Sequence, residues 1–253
     1  MSSIMACTVA APTGRNETWA TLQSTFLDRT KFAKVSKYVV INGTEVKPWK
    51  DKGYEVLKSW VYNKGHYYGL KAIVDSFRET EFEWLLILDS DAWPVRDDWF
   101  AVCDRLMNEK NKLGCAAIRC ENFDTFPHPC VFLAHRKVID KGIEFKLRTQ
   151  LNLLGEPVSD LATNYADFDT DFLPLIRTNR TNFHPLFGGI YGHLFYHHGA
   201  GSRVADNTRV ALSGMYDHIV DSRSHISIES AMFNSLKSNP IVYLNKLLQG
   251  QGL

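Results

Sequence analysis

The sequence predicts an α/β fold: a mostly parallel central sheet flanked by helices, with an α+β second half. Three observations predict it. Short apolar runs alternate with amphipathic helical segments through the first third of the chain, as they do when a parallel sheet is wound with crossover helices. One run, Trp84-Leu85-Leu86-Ile87-Leu88, ends abruptly in Asp89-Ser90-Asp91. That places acid where open α/β sheets bind ligands, beyond the carboxyl ends of their strands. Past residue 110 the alternation gives way to aromatic-rich and proline-rich sequence.

The elements follow in order. Met5 to Ala10 reads as the first strand, closed by the loop Ala11-Pro12-Thr13-Gly14-Arg15-Asn16. Glu17 to Leu27 reads as a helix, with Trp19, Leu22, Phe26 and Leu27 on one side. Lys37 to Ile41 is a second strand, ended by Asn42-Gly43, and Tyr54 to Leu57 a third. Tyr67 to Phe77 carries Leu70, Ile73, Val74 and Phe77 at helical spacing. Trp84 to Leu88 is the strand that delivers the two aspartates. Asp97 to Asn108 is the next helix, with acidic residues suited to its N-terminus. Cys115 to Arg119 and Val131 to Leu133 read as strands, separated by an irregular loop holding Pro127 and Pro129. Asp169 to Ile176 reads as a short helix, Gly188 to His198 as a strand, and Ser224 to Leu248 as helix broken at Pro240. The whole reads as one domain over 1–253, with a first half (1–110), a second half (111–205) and a helical tail (206–253).

The 253 residues are 45% hydrophobic and 23% charged, ordinary for a globular chain with a sizeable core. Twenty-nine basic against 28 acidic residues give a formal charge of +1, which argues against a nucleic-acid partner. No run approaches the roughly 20 apolar residues of a membrane span. Five cysteines without a Cys-x-x-Cys spacing read as reduced thiols. With no signal peptide in the sequence, a cytoplasmic protein is the expectation, and the sequons at Asn16, Asn42 and Asn179 read as chance matches. Composition says nothing of oligomeric state.

Two carboxylates at the end of a buried strand are costly unless a cation or hydrogen bonds compensate them. Asp89 and Asp91 are two apart, the spacing that faces one side of a strand. Aspartates also cap turns, so the strand before them carries the weight. Downstream, Tyr196-His197-His198-Gly199-Ala200-Gly201-Ser202-Arg203 offers imidazoles that are adjacent, so only one of them faces a given side. A mixed Asp and His set suits manganese better than calcium, with magnesium the alternative. Arg203 is placed to pair with phosphate oxygens. Asn63-Lys64-Gly65, running into a helix that carries Lys71, is a second candidate phosphate site. Trp93 and Tyr191 are candidates to stack on a ring of a bound ligand, although aromatics at such positions are also core formers.

Taken together, the Asp89-Ser90-Asp91 strand, the Asn63-Lys64-Gly65…Gly69-Leu70 helix and the late His-His-Gly ending resemble nucleotide-sugar glycosyltransferases of the A-type fold. The resemblance is to the small kind found in bacteria and large DNA viruses. It extends over residues 4–205 and includes His128-Pro129 and Asp169-Thr170-Asp171. It implies a single Rossmann-like domain and a nucleoside diphosphate sugar donor, UDP- or GDP-linked, held by a divalent metal. The acceptor would be a carbohydrate hydroxyl. Carried onto this chain, it implies Asp91 as metal ligand, with Asp89 on the metal or the ribose together with Ser90. His197 would be the third ligand, and His198 its alternative. Ala11, Pro12, Thr13 and Arg15 would hold base and ribose. Asn42 stands where relatives place an acidic residue. His128 would sit by the acceptor. For an inverting transfer the general base would be Asp169, with Asp171 and Asp124 as alternatives.

Two other readings compete. A non-catalytic nucleotide- or glycan-binding module would keep the same fold. An Asp-x-Asp phosphatase would want Thr or Val where Trp93 stands, and its acidic strand usually comes first.

Overall fold

The computed structural model describes residues 1–120, 126–146, 162–163, 168–179, 187–199 and 222–249. The first half runs β1 (Ser2–Ala10), α1 (Asn16–Leu27), β2 (Ala33–Asn42), α2 (Lys47–Lys50), β3 (Glu55–Trp60), α3 (His66–Arg78), β4 (Trp84–Asp89), β5 (Ala92–Pro94) and α4 (Trp99–Glu109). The second half runs β6 (Gly114–Ile118), β7 (Pro127–His135), α5 (Arg136–Asp140), β8 (Phe145–Lys146), β9 (Ala162–Thr163), α6 (Phe168–Asp171), β10 (Phe172–Ile176), β11 (Gly189–Tyr191) and β12 (Phe195–His197). Two helices follow, α7 (Ser222–Ser238) and α8 (Pro240–Leu248).

Seven strands form one sheet in the order β10-β6-β7-β4-β1-β2-β3, parallel throughout except for β7, which is antiparallel to both neighbours. This is the α/β class expected. Strands β1 and β4 are buried on both faces, which is why they read as nearly continuous apolar runs, β1 interrupted by Thr8. Their period-2 alternation sends Ile4, Ala6, Leu86 and Leu88 against Phe100, Cys103 and Met107 of α4. Met5, Cys7, Leu85 and Ile87 go the other way, against Leu70, Ile73 and Phe77 of α3. Helix α3 lies close on β1, since a Cβ on Gly69 would fall 2.6 Å from both Val9 γ-methyls. A third apolar cluster joins Trp19 of α1, Trp49 of α2, Trp93 of β5 and Tyr196 of β12 to Leu236, Tyr243, Leu244 and Leu247 of the C-terminal helices.

Three expectations need correction. Residues 169–176 are one helical turn and then a strand. Pro174 is tolerated because β10 is an edge strand of the seven-stranded sheet, with β6 its neighbour there among the described residues. Residues 188–198 are two strands. Gly192 and His193, with φ of 59° and 58°, turn the chain between β11 and β12. Pro127 and Pro129 lie inside β7 rather than in an irregular loop.

All five cysteines are free thiols. The three sequon asparagines are 6%, 1% and 5% exposed, too enclosed to accept a glycan. Among the described residues no helix is long and apolar enough to cross a membrane.

Candidate metal centre

Strands β2 and β3 extend the sheet on one side of β1, and β4 lies on its other side. The strand order therefore reverses between β1 and β4, and ligands bind open sheets at such a crevice. Asp89 ends β4 there, opposite Val9 of β1. The chain then turns through Ser90 and Asp91 into β5. That turn is held by its own backbone: Gln23 of α1 donates from Nε2 to the carbonyls of Asp89 (2.9 Å) and Ala92 (2.7 Å). Tyr54 Oη donates to Gln23 Oε1 at 2.9 Å and orients the amide. Strand β5 pairs antiparallel with β12, Ala92 facing His197, and this register carries His197 to the two aspartates.

The His197 Nε2 atom lies 3.4 Å from Asp89 Oδ2 and 3.5 Å from Asp91 Oδ1. One ligand atom from each residue falls within 4.8 Å of the others. Asp91 and His197 are 7% and 8% exposed. The Asp89 Oδ1 atom is buried without a hydrogen-bond partner, with His66 Nε2 standing 3.6 Å away. Burial would raise the Asp89 carboxyl, but the bond to His197 and the charges of His66, His197 and His128 outweigh it and hold the pKa well below the usual range. Burial likewise opposes charge on His197. Cys130, Asp91 and Asp89 around the ring outweigh that and push its pKa well up. Two carboxylates, one imidazole and an orphaned buried oxygen fit a divalent cation of the manganese or magnesium kind.

The remaining candidates divide by position. Ala11, Pro12 and Thr13 leave β1 at the same sheet edge as Asp89, and Pro12 is exposed. Ser90 is half-buried in the turn itself. Asn42 ends β2 at that edge, but its amide is consumed locally. It donates to Asn63 Oδ1 (2.8 Å) and the Gly65 carbonyl (3.2 Å) and accepts from Lys64 N (2.8 Å). Asn42 and Asn63 therefore shape the loop that launches α3. Gly43 must be glycine there, because its φ is 78° and a Cβ would meet Asn63 N at 2.4 Å. Lys71 is turned down the helix onto Asp75 (2.7 Å), away from Asp89. Arg15 pairs with Glu229 of α7 through both guanidinium nitrogens. His198 has both ring nitrogens engaged, Nδ1 with Tyr196 Oη and Nε2 with Glu229 Oε1, each at 2.8 Å. It is thus on the far face of β12 from the aspartates and is not the alternative ligand. Arg203 and Asp124 lie outside the described residues.

The acceptor-side expectations change more. Trp93 and Tyr191 are 0% and 1% exposed, so neither offers a ring face to a sugar. His128 is buried beneath the aspartates, its Nδ1 accepting from Cys130 N. Burial, then the Arg119 charge, drives its pKa well down. Asp169 and Asp171 are at the wrong end of the sheet. Phe172 is level with Gly114, Gly114 with Ala134, and Ala134 with Leu85. Asp89 lies from Leu85 onward along β4, about 13 Å at ~3.3 Å per residue, while α6 precedes Phe172 in the opposite direction. Lys112 Nζ ties down the Asp169 and Thr170 carbonyls, and Lys141 pairs with Asp171 at 2.8 Å. Asp169→Asn is expected to leave donor binding and transfer within about twofold of wild type, as for other exposed substitutions. A tenfold loss in a transfer assay would return the base to α6.

Four residues at or behind the centre escaped the sequence reading: His66, Gln23, Cys130 and Glu229. Only His66 carries a local signal, a histidine opening a helix directly after Gly65 at φ 94°.

No protein-family model matches the sequence, and comparison with curated proteins returned no match. Solved structures with some likeness in fold include glycosyltransferases. One is a mannosyltransferase from Pyrobaculum calidifontis, solved with GDP-Man and Mn2+. It is 11% identical with a TM-score of 0.41, the match covering 55% of this chain and 46% of that one. Another is a glycosyltransferase that acts in glycosylation of the major capsid of PBCV-1. It is 12% identical with a TM-score of 0.30, covering 55% and 62%. A cytidylyltransferase from Leptospira borgpetersenii is 12% identical with a TM-score of 0.39, covering 100% and 98%. The matched part thus spans under half of the mannosyltransferase's length. Likeness at this level carries no argument about activity, which rests on the site itself.

Proposed function

We propose that this chain is a metal-dependent glycosyltransferase that moves a sugar from a UDP- or GDP-linked donor to a carbohydrate hydroxyl, with inversion. The observation that carries the reading is the Asp89, Asp91 and His197 cluster at the topological switch point, with an orphaned carboxylate oxygen inside it. Asp91, His197 and Asp89 would hold the cation, manganese by preference and magnesium as the alternative. When bound, the cation offsets charge on the departing nucleoside diphosphate. The loop from Ala11 to Thr13 lines the same edge, where base and ribose would lie. His66, opening α3 beside Asp89, faces the same space from a helix N-terminus. With Asp169 and Asp171 removed from the site, Asp124 is the remaining candidate for the base that takes the acceptor proton.

A thermal-shift panel of nucleoside diphosphates and nucleotide sugars, with and without Mn2+, tests this. A ligand at about 100 times its Kd stabilises the native state by about 2.7 kcal/mol. For a chain of this size that is roughly 5–10 °C in Tm, expected only when Mn2+ is present. One preferred donor is also expected to hydrolyse slowly in water. Nucleotide binding without hydrolysis of any donor would favour the binding module, and brisk turnover of an aryl phosphate would favour the phosphatase.

A further inference from the structure

Glu229 of α7 has no exposed surface, and neither has His198. Its two oxygens join separate parts of the chain. Oε1 meets His198 Nε2 at 2.8 Å, and Oε2 accepts from Arg15 Nη2 at 3.0 Å while Arg15 Nη1 closes a second bond to Oε1. The Arg15 guanidinium also lies over the Phe233 ring, 3.8 Å from its centroid.

Each partner reaches the metal centre by a short covalent path. Arg15 closes the loop after β1, and its carbonyl accepts from Trp19 N in the first turn of α1. His198 follows His197 directly, and its amide donates to the Asp91 carbonyl at 3.0 Å. The His198 peptide thus stitches together the two segments that carry the candidate ligands. Among the described residues, the C-terminal helices also pack on the body through Met232, Leu236, Tyr243, Leu244 and Leu247. Apolar packing alone would hold these helices, and a buried ion pair adds little net stability over an apolar replacement. The ionic group occurs where the helix meets the site, and a bidentate charge-assisted pair fixes geometry more narrowly than packing does.

We propose that Glu229 is a positioning residue, setting the nucleotide loop and the ligand strand relative to each other and making the C-terminal helix part of the active site. The claim rests on the metal-site reading for its consequence, though not for its geometry. It is tested by Mn2+ titration followed by electron paramagnetic resonance, together with the imidazole NMR resonances of His197 in metal-free protein. Glu229→Gln is expected to weaken Mn2+ binding about tenfold or more, as loss of supporting contacts does at metal sites. It is also expected to displace the His197 resonances. Leu236→Ala loosens the same helix through its apolar face. It is expected to lower Tm while leaving Mn2+ affinity within about twofold, since it removes no ligand and none of the ionic contacts of Glu229. The double variant Arg15→Gln/Glu229→Gln removes both charges together, so it is expected to fold where the single variant fails, to regain Tm and not to regain affinity. Affinity that follows Tm across the three variants, or unmoved His197 resonances in Glu229→Gln, would overturn the proposal. A wild type that takes up no Mn2+ overturns the metal reading instead, and the His197 resonances still decide the positioning role.

Discussion

Asp91→Ala is expected to abolish metal-dependent donor binding while leaving the fold intact. The residue is nearly enclosed and its side chain contacts His197 Nε2 at 3.5 Å. Its structural duty falls on the backbone, whose carbonyl accepts from His198 N. Alanine keeps that carbonyl, so β5 and β12 retain their register. Among the described residues, removing the carboxylate leaves only His197 and Asp89 as donors. Contacts that only support a ligand are worth 10–100-fold in metal affinity. Losing a ligand outright should therefore weaken Mn2+ binding by more than about 100-fold and end the Mn2+-dependent rise in Tm with nucleoside diphosphates. Unchanged Mn2+ affinity in the variant would remove Asp91 from the metal site.

Trp93→Ala is expected to strike stability instead of the acceptor. The indole is 0% exposed. It stacks on Phe26 with the rings at 15° and lies 4.9 Å from the Tyr196 ring and 6.1 Å from Trp19. Truncating a core tryptophan costs about 3–5 kcal/mol. In a chain this long, each kcal/mol is worth roughly 2–4 °C, so Tm should fall by about 10 °C. Trp93→Phe should cost under about 2 kcal/mol, because the indole Nε1 has no hydrogen-bond partner to lose and most of the ring area remains. Denaturant unfolding of the three proteins checks the order. A normal midpoint in Trp93→Ala, with a raised KM for the acceptor, would return this ring to the binding surface.

What the sequence discloses here is whatever is local. A strand buried on both faces is apolar along its length, so β1 and β4 stand out, and the acid that ends β4 marks the sheet edge. His197 and His198 show where this stops. Neighbours in a strand face opposite sides, but which one faces the aspartates depends on Ala92 pairing with His197, a contact between distant segments. Asp169 shows the same limit. An aspartate opening a helical turn looks alike at either end of a sheet, and only the parallel pairing of β10 with β6 places it at the far one. Arg15 reads as a contact to base and ribose because its actual partner, Glu229, is 214 residues away. Asn42 reads as facing the nucleotide because the loop that saturates its amide has no regular periodicity.

The pairing of β5 with β12 also orders events in time. Asp89 and Asp91 leave the ribosome about a hundred residues before His197, and the pairing that unites them is the longest-range strand pairing among the described residues. Loops of that span close late, after the local units have formed. A nascent chain therefore carries the β1–β4 scaffold first, with its acidic turn open to solvent and unable to retain a cation through two carboxylates alone. Capture of the proposed metal would then be one of the last steps of maturation. Chelation during refolding should then slow or arrest only the final phase, leaving the sheet already built.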